Sequence, residues 1–168
     1  MQGKDIILGI LSQHSCTGYD IKEILKNDLS GCYNGTFGMI YPTLNKLEKE
    51  GKVKKEKIVQ KKKPDKNIYS ITDKGIKEFD NYVNSSLERD KLKSDFLVRM
   101  YLESSLSKKR LKKIITEQVT YKSSLLDLLI KRNINNKENV AQSLAVSYEI
   151  AICEAEIRTL ELYLRQLD

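Results

Sequence analysis

The sequence predicts a mainly α-helical protein with one small β-hairpin wing, in which a winged helix-turn-helix domain precedes a C-terminal α-helical dimerisation region. Three observations carry this expectation. The first fifty residues hold three short helical periodicities separated by glycine-rich and polar breaks. A Val/Ile segment interrupted by the turn KKKPDK follows directly. Most of the remainder reads as long helical patterns.

DIILGILSQ is short and strongly apolar, as a buried helix ending near Ser12 or Gln13 would be. His14 falls near that end, where positive charge suits the carbonyl pole of the helix. GYDIKEILKNDLSG puts Ile21, Ile24, Leu25 and Leu29 at helical spacing, with Gly31 as the terminating residue. A third helix is expected from Thr36 to Glu50. Phe37, Ile40, Leu44 and Leu47 form its buried face, Thr36 is its expected N-cap and Gly51 its stop. Pro42 lies opposite that face and shares the outer side with Gly38, Asn45, Lys46 and Lys49. In a helix that starts at Thr36, its ring would press on the Gly38 carbonyl, remove one hydrogen bond and bend the axis.

KVKKEKIVQKKKPDKNIYSIT then reads as the hairpin, with Tyr69 and Ile71 alternating with Ser70 and Thr72. Thr72 is placed to cap a helix over DKGIKEFDNYV that fades near Ser85–Ser86. Beyond KSDFLVRMYL, a helix from about Ser107 to Arg132 aligns Leu111, Ile115, Val119, Leu126 and Leu129. NINNKEN breaks it. The last helix, from about Lys137 to Gln166, carries Val140, Leu144, Tyr148, Ala151, Ile152, Ala155, Leu160, Leu162 and Leu164. That apolar surface is wider than one stripe, as if packed on its own subunit and on another. The expected division is residues 1–90 and 91–168.

With 168 residues, 40% of them apolar, the chain can bury a proper core. Its formal charge is +7, and residues 46–66 hold ten lysines against Glu48, Glu50, Glu56 and Asp65. That concentration falls on the third helix and wing, and it permits a polyanionic partner. No run approaches the roughly 18 apolar residues of a membrane helix, and the N-terminus lacks a basic start with a small-residue cleavage site, so a cytoplasmic protein without a membrane partner is expected. Cys16, Cys32 and Cys153 are too far apart for a CxxC motif and read as reduced structural thiols. One histidine, no phosphate-cradling glycine loop and no nucleophile–base pair argue against an enzyme, a metal or a cofactor.

Gly18-Tyr19-Asp20-Ile21, then Gly35-Thr36 through Ile40-Tyr41-Pro42-x-Leu44-x-x-Leu47-Glu48-x-x-Gly51-x-Val53, then Pro64-Asp65-Lys66-x-x-Tyr69-Ser70-Ile71-Thr72-x-x-Gly75, resembles the PadR family of bacterial transcriptional regulators. The resemblance covers roughly residues 4–80, and residues 93–118 resemble more loosely the C-terminal region of longer members. It implies a homodimer that binds a near-palindromic double-stranded DNA operator, usually as a repressor. It also implies that Tyr41-Pro42 and the residues before them lie at the DNA-facing end of the third helix.

The DNA-binding candidates are Tyr19, Lys22, Thr36, Gly38, Tyr41 and Pro42, with Asn45, Lys46 and Lys49 on the third helix and Lys62, Lys63 and Lys66 on the wing. Lysine supplies charge without the bidentate fork that arginine offers guanine, so these residues position more than they specify. Val140, Leu144, Tyr148, Ile152, Ala155 and Leu160 are the dimerisation candidates. Some relatives bind small aromatic effectors, and Phe96, Met100 and Tyr101 are candidates for such a pocket, with ordinary core packing as the plainer reading. The rival functional class is a protein–protein interaction adaptor without specific DNA binding. Such an adaptor should show apolar residues, not lysines, on the outer face of the third helix.

Overall fold

The computed structural model describes the chain except residues 30–31, 34–35, 60–64, 103–105, 136–138 and 168, with the backbone alone at 134–135. It forms two compact units, Met1–Asp90 and Lys91–Asp168.

The first unit opens with α1 (Gly3–Gln13), whose start is closed by the Gln2 N–H donating to Asp5 Oδ2 at 2.7 Å. After the two-residue strand β1 (Cys16–Thr17) comes α2 (Gly18–Asn27). Thr17 and Asp20 form a reciprocal cap on α2: Asp20 N–H donates to Thr17 Oγ1 at 3.1 Å, and Thr17 N–H donates to Asp20 Oδ2 at 2.9 Å. A 3₁₀ turn (Phe37–Met39) leads into α3 (Ile40–Lys49). Strands β2 (Val53–Ile58) and β3 (Lys66–Ile71) pair antiparallel from Val53↔Ile71 to Ile58↔Lys66. β1 pairs with the other edge of β3, giving the order β1-β3-β2. α4 (Asp73–Val83) closes the unit, with Thr72 accepting from Gly75 N–H at its cap.

The core of this unit joins Ile7, Leu8 and Leu11 of α1 to Ile21 and Leu25 of α2, Ile40, Leu44 and Leu47 of α3, and Val53 and Tyr69 of the sheet. Ile40, Leu44 and Leu47 thus occupy the face their spacing predicts. The start of the helix differs from expectation. Residues 37–39 tighten into a 3₁₀ turn, α3 begins at Ile40, and Thr36 makes no side-chain capping bond. Pro42 accounts for this: in a helix starting at Ile40 it lies in the first turn, where its missing N–H costs nothing, so the expected bend is not required. The change of helix type also breaks the phase of the apolar stripe, and Phe37, expected in the core, is 42% exposed. β1 was not expected, since two residues carry no periodicity. Gly31, Lys62, Lys63 and Pro64 lie outside the described residues.

The second unit contains α5 (Asp95–Leu102), α6 (Lys108–Asn135) and α7 (Val140–Gln166). Ser107 Oγ accepts from Arg110 N–H at the start of α6, and Asn139 Oδ1 accepts from Ala141 and Gln142 N–H at the start of α7. The Asn139 cap moves the beginning of the last helix to Val140 from the expected Lys137. Lys122 pairs with Glu156 at 2.6 Å and Arg132 with Glu149 at 3.3 Å, so the two long helices run antiparallel. Ile115 and Leu129 of α6 and Val146 and Cys153 of α7 are buried, with Cys153 Sγ donating to the Lys122 carbonyl at 3.2 Å, while Leu111, Val119 and Leu126 are half-buried.

Candidate nucleic-acid interface

Gly18 is the first residue of α2, and a Cβ there would come within 2.7 Å of the Tyr41 ring. The glycine therefore lets α3 lay Tyr41 against the start of α2, which the motif Gly18-Tyr19-Asp20 does not by itself reveal. Tyr41 keeps 57% of its surface exposed. Beside it lies a recess of about 380 Å³ lined by Thr17, Gly18, Tyr19, Asp20, Tyr41, Asp65, Lys66, Asn67 and Tyr69. Three of the candidates read from sequence, Tyr19, Tyr41 and Lys66, thus share one concavity although they are 22 and 25 residues apart.

The two acids of the recess are already committed. Asp20 is held below the usual carboxylate range by the Thr17 N–H first and the Thr17 hydroxyl second, the latter donating at 2.7 Å. Asp65 pairs with Lys57 at 2.7 Å across the hairpin. Of the other polar groups, the phenol hydroxyls of Tyr19 and Tyr41, the Asn67 amide and the Lys66 ammonium can donate to an anion. Asp65 and Asn67 are not among the candidates read from sequence; they reach the recess at the loop end of the hairpin, where Lys57↔Asn67 and Ile58↔Lys66 are the last pairs of the ladder.

Among the described lysines of residues 46–66, Lys57 is taken up by Asp65 and the others separate into two groups. Lys52 is structural: its ammonium lies 2.8 Å from Glu50 and 3.4 Å from Glu78, and Glu78 also pairs with Lys4. The hydrogen bond to Glu50 holds the Lys52 pKa above its ordinary value, and the bond from Lys4 holds that of Glu78 below its own. Lys46, Lys49, Lys54, Lys55 and Lys66 are exposed, and Lys46 touches Glu50 only at 4.0 Å. Thr36, Gly38, Pro42 and Asn45 are exposed as well. Lys22 stands 5.7 Å over the Phe37 ring, joining α2 to the 3₁₀ turn.

On α7, Val140 (84% exposed), Leu144, Tyr148 and Ile152 form an apolar row at four-residue spacing that faces away from α6, with Ala155 and Leu160 half-buried. The residues that seat α7 on α6 are instead Val146 and Cys153. Phe96 and Met100 are half-buried four residues apart on α5, whereas Tyr101 is 85% exposed. Among the described residues no group of His, Cys, Asp and Glu could hold a metal ion, and no helix is long and apolar enough to cross a membrane.

Residues 7–81 match the family model described as the transcriptional regulator PadR-like family. The chain is 30% identical over 99 residues to the negative transcriptional regulator PadR of Bacillus subtilis (strain 168). That match takes in 58% of this chain and about half, 54%, of that relative. Among solved structures, smu.1604c from Streptococcus mutans UA159 is similar at 42% identity and a TM-score of 0.91, over 98% of this chain and 99% of that one. The PadR-like transcriptional regulator BC1756 from Bacillus cereus is similar at 35% identity and a TM-score of 0.89, over 99% and 98%. Bacillus subtilis PadR in complex with operator DNA is similar at 25% identity and a TM-score of 0.83, over 98% of each chain.

Proposed function

Because the chain belongs to the PadR-like family of transcriptional regulators, we propose that it is a homodimeric, sequence-specific DNA-binding protein that represses transcription from a near-palindromic operator. The observation that supports this most is the shared exposure of Tyr41, Asn45, Lys46 and Lys49 on α3 beside the recess of Tyr19, Asn67 and Lys66. In this reading α3 enters the major groove, and the recess and the loop end of the wing take the flanking backbone phosphates. The lysine-rich composition makes phosphate contacts the larger part of affinity, with binding that weakens steeply as salt rises. The outward row of Val140, Leu144, Tyr148 and Ile152 joins two copies, so that two recognition helices reach two half-sites.

The adaptor reading fits the surface less well, because Asn45, Lys46 and Lys49 make the outer face of α3 polar and basic. Tyr41→Ala tests the choice. It removes an exposed ring, so the melting temperature should move little while DNA affinity falls several-fold. Unchanged DNA affinity would count against this placement of the interface.

A further inference from the structure

We propose that the start of α4 is a clamp that fixes the wing relative to the recognition helix, with Thr72 and Lys74 as positioning residues for DNA binding. This rests on the DNA-binding reading above. Two of the last carbonyls of α3 are closed by its own C-terminal motif: Gly51 N–H donates to Glu48 O and Lys52 N–H to Leu47 O, each at 2.9 Å, and Gly51, at φ +68°, takes the left-handed turn. α4 acts on the next three carbonyls, which lie between α3 and β2. Lys74 Nζ donates to Glu50 O at 2.9 Å, Thr72 Oγ1 to Gly51 O at 2.8 Å, and Thr72 N–H to Lys52 O at 3.0 Å. Gly75 permits this approach, since a Cβ there would lie 2.2 Å from the Lys52 carbonyl oxygen.

Lys74 reaches the C-cap carbonyl of α3, whereas the two Thr72 donors reach carbonyls beyond the cap, which the helix itself does not need closed. Together they remove freedom from a three-residue turn whose angle decides whether α3 and the loop end of the wing reach the groove and the backbone together. Ordering this angle before binding lowers the entropy that DNA binding must overcome. Loosening it should therefore cost affinity through the wing, not through α3.

The test uses the full chain and its Lys74→Met, Thr72→Val and Thr72→Ser variants. Each is titrated by fluorescence anisotropy, below its own melting temperature, with the duplex from upstream of its own gene and with a random-sequence duplex at low salt. Lys74→Met keeps the stem of an exposed side chain and should fold as the parent does. It should bind both duplexes roughly five- to tenfold more weakly, with the slope of log affinity against log salt reduced by about one for a lost wing phosphate. Thr72→Ser should restore what Thr72→Val loses. In a Lys66→Gln background, Lys74→Met should add little, because the wing contact is already gone. Parent-like affinity and slope in both Lys74→Met and Thr72→Val, or losses that simply add to that of Lys66→Gln, would overturn the clamp alone. Failure of the parent chain to bind either duplex would overturn the DNA-binding reading and the clamp with it.

Discussion

Gly38 lies exposed in the 3₁₀ turn before α3, and nothing in the described residues requires a glycine there. Its φ is not positive, and a Cβ built on it meets no atom within 4 Å. A glycine without an internal reason is a cost, because it leaves the unfolded chain more freedom to lose. Gly38→Ala should therefore stabilise the free protein by about 0.4–1 kcal/mol. For a unit of this size that raises the melting temperature by about 2–8 °C. On the DNA-binding reading proposed above, an external surface explains the glycine: the turn sits beside Tyr41 and Pro42, where the DNA backbone would come close. The same methyl group should then weaken DNA binding by roughly tenfold, equivalent to about 1.4 kcal/mol. Thermal melting followed by circular dichroism and anisotropy titration on one preparation read the two effects separately. A stabilised variant with unchanged or improved DNA affinity would refute the argument, since it would show Gly38 to lie outside the interface.

Asp20→Asn should cost about 1 kcal/mol at neutral pH by weakening the cap on α2. Because the Asp20 pKa is lowered in the fold, that advantage of the parent exists above the ordinary carboxylate value and disappears as pH falls through the lowered one; melting temperatures of both proteins across the acidic range check this. Gly75→Ala should destabilise by about 2–3 kcal/mol, since the new Cβ meets backbone that has little room to move; denaturant unfolding measures it. Leu144→Glu with Ile152→Glu should leave the helical signal intact while light scattering shows the mass falling from twice the chain mass to 19.4 kDa.

Much of the fold is legible in the sequence because periodicity reports burial directly. Ile40, Leu44 and Leu47 occupy the core as their spacing requires, Thr72 caps α4, and Gly51 ends α3 with positive φ. What was hidden depends on long-range pairing or on competing local effects. Periodicity placed Phe37 on the buried face, but Pro42 shifts the start of α3 and turns Phe37 outward. A lysine count cannot separate Lys52, which is bound by Glu50 and Glu78, from exposed Lys49 and Lys66, because Glu78 arrives from α4. Likewise, apolar spacing on α7 found the outward row of Leu144 and Tyr148 but passed over Val146 and Cys153, which seat the helix on α6.

The most direct test is fluorescence anisotropy of the purified chain on the DNA upstream of its own gene, against a scrambled duplex of equal length, across a salt titration. The account predicts a preference of about a thousandfold or more at physiological salt, with affinity falling steeply as salt rises. Absence of binding to either duplex even at low salt, or binding indifferent to salt, would contradict it.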